Sequence, residues 1–87
     1  MAIPKPVKES IARALGHAIH RRRKDNGLNQ AQLAEKSGVH ETYVSQLERG
    51  KNVPSVDIAL ALCQALGAEL GPFFEEVRDL AETYREE

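Results

Sequence analysis

Few side chains in this sequence are spaced for reactive chemistry. His17 and His20 stand three residues apart, so on a helix they would share a face and could share a metal. Zinc needs a third and fourth donor, and none stands at zinc-site spacing, so two surface histidines and no metal are expected. Cys63 lies in an apolar run and is read as a small buried thiol; one cysteine makes no internal disulfide. No phosphate-cradling glycine loop or nucleophile motif occurs, so neither a cofactor nor enzymatic activity is expected. What the sequence does concentrate is positive charge. His20-Arg21-Arg22-Arg23-Lys24 gathers four cations where a helix ends, a place that favours them, and one or two could reach phosphate.

The distribution of charge matters more than its sum of −1. Met1 to Lys51 carries ten Lys and Arg against five acids, a net +5, whereas Asn52 to Glu87 carries two against eight, a net −6. Phosphate binding needs only a local cationic face, because screening erases charge beyond about 8–10 Å. With 29% charged and 41% hydrophobic residues, the 87-residue chain has the balance of one globular domain with a modest core. No apolar run approaches the roughly 20 residues needed to span a bilayer. The opening MAIPKPVKES lacks the apolar segment of a signal peptide, so cytoplasmic residence is expected.

Five helices can position these residues, and no strand signal interrupts them. Pro4 and Pro6 make residues 1–6 a flexible N-terminal arm, leaving 7–87 as a single domain with an extended C-terminal helix. Val7, Ile11, Ala14, Leu15, Ala18 and Ile19 recur at helical spacing, predicting a first helix to about Asn26-Gly27, slightly weakened by Gly16. Asn29 with Gln32 reads as a capping box, and Ser37-Gly38 stops the short helix that follows. The next helix starts near Glu41, buries Val44 and Leu47, and ends at Gly50. Helix, tight glycine turn, helix is the unit that lays its second member in a DNA major groove. Ser55 is expected to cap a fourth helix, apolar nearly all round and so the most buried. Gly71-Pro72 is expected to open a fifth, running to about Tyr84, with proline at its first position.

Read together and in order, Leu28-Asn29-Gln30, Leu33-Ala34, Gly38-Val39, Tyr43-Val44-Ser45-Gln46, Leu47-Glu48-Arg49-Gly50, Pro54-Ser55 and Ala65-Leu66-Gly67 resemble the phage repressor and Cro-type (Xre) helix-turn-helix proteins. The resemblance spans roughly residues 11–74. It implies an all-α repressor-like domain, helix three as the DNA reader, and a homodimer on a two-fold symmetric operator. By position, Gln30 matches a phosphate-contacting residue, and Glu41, Thr42 and Gln46 match positions facing base edges, flanked by His40 and Ser45. Arg49, Lys51 and Asn52 match backbone contacts. Arg23 and Glu48 match a buried ion pair between helices one and three.

Side-chain chemistry supports part of this assignment. Gln46 can pair bidentately with adenine, and Thr42 can donate, accept or offer its methyl to thymine. Glu41 can accept from cytosine, discourage other sequences, or turn back to cap its own helix, and these alternatives stay open. Tyr43 adjoins the apolar Val44 and suits either core packing or a phosphate hydrogen bond. His40 replaces the usual Ser or Thr at the cap of helix three, so a weaker cap is expected, while its imidazole could meet phosphate. Arg22 stands where such proteins more often carry an apolar residue.

The stripe Phe73, Val77, Leu80 and Tyr84 is expected to form the dimer interface, with Phe74 packed on the body; the alternative is that the whole stripe caps the monomer core. The function expected is a sequence-specific, DNA-binding transcriptional regulator with double-stranded DNA and a second copy of itself as partners. The alternative is an antitoxin that also neutralises a toxin protein, its acidic tail from Glu75 to Glu87 meeting a basic partner.

Overall fold

The computed structural model describes residues 2–87, and within them the chain is all-α. Five helices follow one another: α1 (Lys5–Asp25), α2 (Gln30–Ser37), α3 (Glu41–Glu48), α4 (Val56–Leu66) and α5 (Leu70–Arg85). Among the described residues no single helix is both long and apolar enough to cross a membrane.

Helix α1 begins at Lys5, two residues before Val7, so only residues 2–4 of the expected arm precede it. Pro6 falls in the first turn, where a missing N–H breaks no intrahelical bond. Met1, also assigned to that arm, lies outside the described residues. The end of α1 is a Schellman motif: Gly27 N–H donates to Lys24 O at 2.9 Å and Leu28 N–H to Arg23 O at 3.1 Å. Both arms of the α2 capping box are made, Gln32 N–H to Asn29 Oδ1 at 2.7 Å and Asn29 N–H to Gln32 Oε1 at 2.8 Å. Gly38 then turns the chain at φ 82°, a conformation that L side chains resist.

Two boundaries differ from the sequence reading. Ser55 stands at the start of α4, but its hydroxyl donates to Asp57 Oδ1 at 2.5 Å instead of capping the helix. That bond, with Ile58 N–H, holds the Asp57 carboxyl below its usual range. Helix α5 starts at Leu70, placing Pro72 third rather than first, still within the turn that needs no intrahelical donor. Nor is α4 the most buried helix. It buries Ala59, Leu62, Cys63 and Leu66 but leaves Val56 and Leu60 exposed, while α1 buries eight residues. The helix at the centre is α1, which packs along α5 and also meets α3 and α4. Burial pushes the Cys63 thiol up, as suits a packed rather than a reactive cysteine.

The core joins Leu15, Ala18 and Ile19 of α1 to Leu33 of α2, Val44 and Leu47 of α3, Leu62 and Leu66 of α4, and Phe73 and Val77 of α5. The core thus claims Phe73, expected at a dimer interface, for the interior of the chain itself. Phe73 is 1% exposed and Val77 is buried, while Leu80 and Tyr84 are half-buried against the same core. The reason is the angle of α5, which turns that stripe onto α1 and sends Phe74 outward, 39% exposed. Arg22 accounts for the polar residue on an apolar face: its guanidinium lies 5.6 Å from the Phe73 ring centre, and its Nε donates to Glu76 at 3.3 Å.

Candidate nucleic-acid interface

Helix α3 has two faces. Val44 and Leu47 are fully buried, and Glu41, Thr42, Ser45, Gln46 and Arg49 follow one another along the opposite side at helical spacing. Glu41, Thr42 and Arg49 are exposed, whereas Ser45 and Gln46 are half-buried. Five of the expected contact residues therefore share one outward surface. Tyr43 is half-buried and packs against the core.

Three features fix α3 on the body. The first is Gly16, where an added Cβ would lie 2.3 Å from Leu47 O and 2.9 Å from Glu48 O. Only glycine lets α1 approach the α3 backbone this closely. The second is the Arg23–Glu48 pair. Arg23, 7% exposed, donates through Nε to Glu48 Oε2 at 2.7 Å and through Nη2 to Oε1 at 2.9 Å. Its Nη1 donates to Leu28 O at 2.8 Å, so α1, α3 and the entry to α2 meet at one side chain. Glu48 also receives His20 Nδ1 at 2.9 Å and Gln30 Nε2 at 3.2 Å. Burial raises the Glu48 pKa, but the donors Arg23, His20 and Gln30 outweigh it and hold the carboxyl below its usual range. The third is the Schellman end of α3, with Gly50 N–H on Leu47 O at 3.0 Å and Lys51 N–H on Gln46 O at 2.9 Å.

His40 caps α3, as its position implies. Its Nδ1 accepts the Thr42 N–H at 3.1 Å, so in the neutral ring the proton sits on Nε2, a donor still available. No side-chain hydrogen bond from Glu41 to the helix start is formed, so the third reading of that residue, as its own cap, is not realised. At the other end of the surface, Arg49 donates to Ser45 O at 3.4 Å and Asn52 donates through Nδ2 to Gln46 Oε1 at 2.9 Å.

Of the ten cations in the basic half, Lys5, Arg13, Arg21, Arg22 and Arg23 are engaged in ion pairs within the chain. Arg21 reaches both Asp25 and Glu76. Among the described residues, Lys8, Lys24, Lys36, Arg49 and Lys51 have no such carboxylate partner, and Arg49 and Lys51 flank the end of α3. His17 Nδ1 meets Tyr84 OH at 2.9 Å, and His20 meets Glu48. His20 and Gly16 also position α3, and no sequence motif marks them. Their signal was spacing, because 16, 20 and 23 fall on one face of α1.

A helix-turn-helix family model matches residues 19–73. This chain belongs to that family. Among helix-turn-helix relatives, an uncharacterised HTH-type transcriptional regulator, y4dJ of Sinorhizobium fredii, is 38% identical over 57 residues, 66% of this chain and 74% of that protein. The control protein C.SmaI of Serratia marcescens is 33% identical over 60 residues, 69% of this chain and 71% of its own length. The crystal structure of ClgR, a clp gene regulator of Corynebacterium glutamicum, superposes with a TM-score of 0.74 at 36% identity. The match covers 79% of this chain and 90% of that one. The five helices and the placement of α2 and α3 thus belong to a helix-turn-helix protein of the phage repressor and Cro type.

Proposed function

We propose that this protein is a sequence-specific transcriptional regulator that lays α3 in a DNA major groove and acts as a homodimer on a two-fold symmetric operator. One observation carries the reading. A short helix whose inner face is fully buried, and which is braced from behind by Gly16 and Arg23–Glu48, presents Glu41, Thr42, Ser45 and Gln46 outward. A rigid rod of polar side chains is what base readout in the major groove requires. The roles follow from chemistry. Thr42 and Gln46 read base edges with Ser45 beside them, and Glu41 accepts from cytosine or rejects other bases. Gln30, His40, Tyr43, Arg49, Lys51 and Asn52 surround that surface and serve the phosphates, which fix register without reading sequence. Relatives described as transcriptional and gene regulators support this assignment.

The dimer surface proposed adjoins the expected stripe and keeps only Val77 of it. Val7 and Ile11 of α1, Val53, Val56 of α4, and Phe74 of α5 line an apolar groove of about 410 Å³. Arg78, Glu82 and Arg85 rim it. A two-fold interface must complement itself, and an antiparallel copy of α5 would set Arg against Glu across this rim. A second copy of the chain is therefore the occupant proposed. The antitoxin alternative gains no specific support, and part of its acidic surface is already in use: Glu76 binds Arg21 and Arg22, and Glu87 binds Arg13. Selection of bound duplexes from a random pool at 150 mM salt tests the reading. Recovery of an inverted repeat is expected; a pool with no sequence enriched over background would overturn it.

A further inference from the structure

We propose that Asn52, beyond its phosphate contact, is a specificity-positioning residue, which presets the Gln46 carboxamide to read adenine; this rests on α3 being the DNA reader. The loop after α3 grips Gln46 twice. Lys51 N–H donates to the Gln46 backbone carbonyl at 2.9 Å, and Asn52 Nδ2 donates to Gln46 Oε1 at 2.9 Å. Both Asn52 and Gln46 are half-buried, so water competes less for this bond than at a fully exposed site. The loop is held on one side by the Gly50 N–H bond to Leu47 O at 3.0 Å and restrained on the other by Pro54.

The consequence lies in which groups of Gln46 remain. A carboxamide oxygen has two acceptor sites and the nitrogen two donors. With Asn52 as donor, one acceptor site of Gln46 is taken and the oxygen end of its amide faces the loop. What stays free is one acceptor beside a donor, the pattern complementary to adenine N6–H and N7. Guanine presents two acceptors there, N7 and O6, so the fixed oxygen would face O6 without a proton between them. A free glutamine can rotate its amide by half a turn and put nitrogen where oxygen was. The Asn52 bond couples that turn to a turn of the Asn52 amide as well, so the Gln46 side chain is partly ordered before DNA arrives.

The test uses the full chain and its selected operator, together with operators changed at one base pair at a time, at fixed salt. Asn52→Ala is expected to weaken binding to the parent operator about three- to tenfold, as for an unrestrained long side chain ordered on binding. It should flatten discrimination at one base pair, the same one flattened by Gln46→Ala, and add nothing there to Gln46→Ala. Asn52→Asp, which can only accept, is expected to pull the Gln46 amide nitrogen inward and shift the preference at that pair. Its added charge, by contrast, weakens all operators alike. Unchanged melting of each variant shows that the fold is intact. Asn52→Ala that weakens every operator equally, or none, with discrimination at the Gln46 pair intact, overturns this inference alone. A parent protein that selects no sequence overturns the regulator reading and this inference with it.

Discussion

Arg23 and Glu48 are each kept out of water by the other. Two parallel N–H···O bonds join the guanidinium to the carboxylate, Leu28 O takes a third Arg23 donor, and His20 and Gln30 both reach Glu48 Oε1. No buried side-chain nitrogen or oxygen among the described residues lacks a partner. Removing one member strands the other, so Arg23→Ala is expected to lower stability by roughly 3–5 kcal/mol in urea titrations. A variant as stable as the parent would contradict the pair's role. Acid tests Glu48 separately. Folding depresses its pKa, so its contribution is complete above the ordinary carboxylate value of 4.5 and is lost as pH falls through the lower folded value. Across that window the parent should lose stability more steeply than Glu48→Gln, and parallel losses would count against it.

At the scale of elements, the α1–α3 contact decides how the reader is presented. Gly16→Ala must push a methyl group into the carbonyls of Leu47 and Glu48, which cannot yield as a side-chain tip could. An expected loss of about 1–3 kcal/mol follows, together with weaker operator binding as α3 shifts. Helix propensity alone gives the opposite sign, since alanine is the better helix former. A thermal melt therefore separates the two. The same site shows how far sequence reaches. Helix number, the α2 capping box and the bounds of α3 were legible because their causes are local: Asn29 and Gln32 three apart, glycines at turns, apolar spacing. Contacts between helices were less so. The stripe Phe73, Val77, Leu80, Tyr84 announces a buried face, but periodicity does not say whether α1 or a second chain covers it. Resemblance brought Arg23 and Glu48 together where composition would have left Arg23 in solvent. His20, Gly16 and the Asn52–Gln46 bond depend on angles and close approaches that no local pattern encodes.

Taken whole, the molecule divides its charge between two tasks. Four of the ten Lys and Arg of the basic half tie parts of the fold together, Arg23 joining α1 to α3 and Arg13, Arg21 and Arg22 binding α5 and the chain end to α1. Arg49 and Lys51 are left beside the reading surface, which explains how a chain of net charge −1 can bind a polyanion. The apolar groove is the other unfinished surface. A charge placed at its lip, as in Phe74→Asp, should leave the buried core intact and shift the protein to monomer in sedimentation equilibrium, while the parent sediments as a dimer. An unchanged dimer would move the interface elsewhere. The central claim is that two copies of α3 enter successive major grooves, and hydroxyl-radical footprinting on the selected operator tests it most directly. Two protected patches about 34 Å apart on one face of the duplex are expected. A single patch, or protection that survives Thr42→Ala combined with Gln46→Ala unchanged in affinity and sequence, would contradict it.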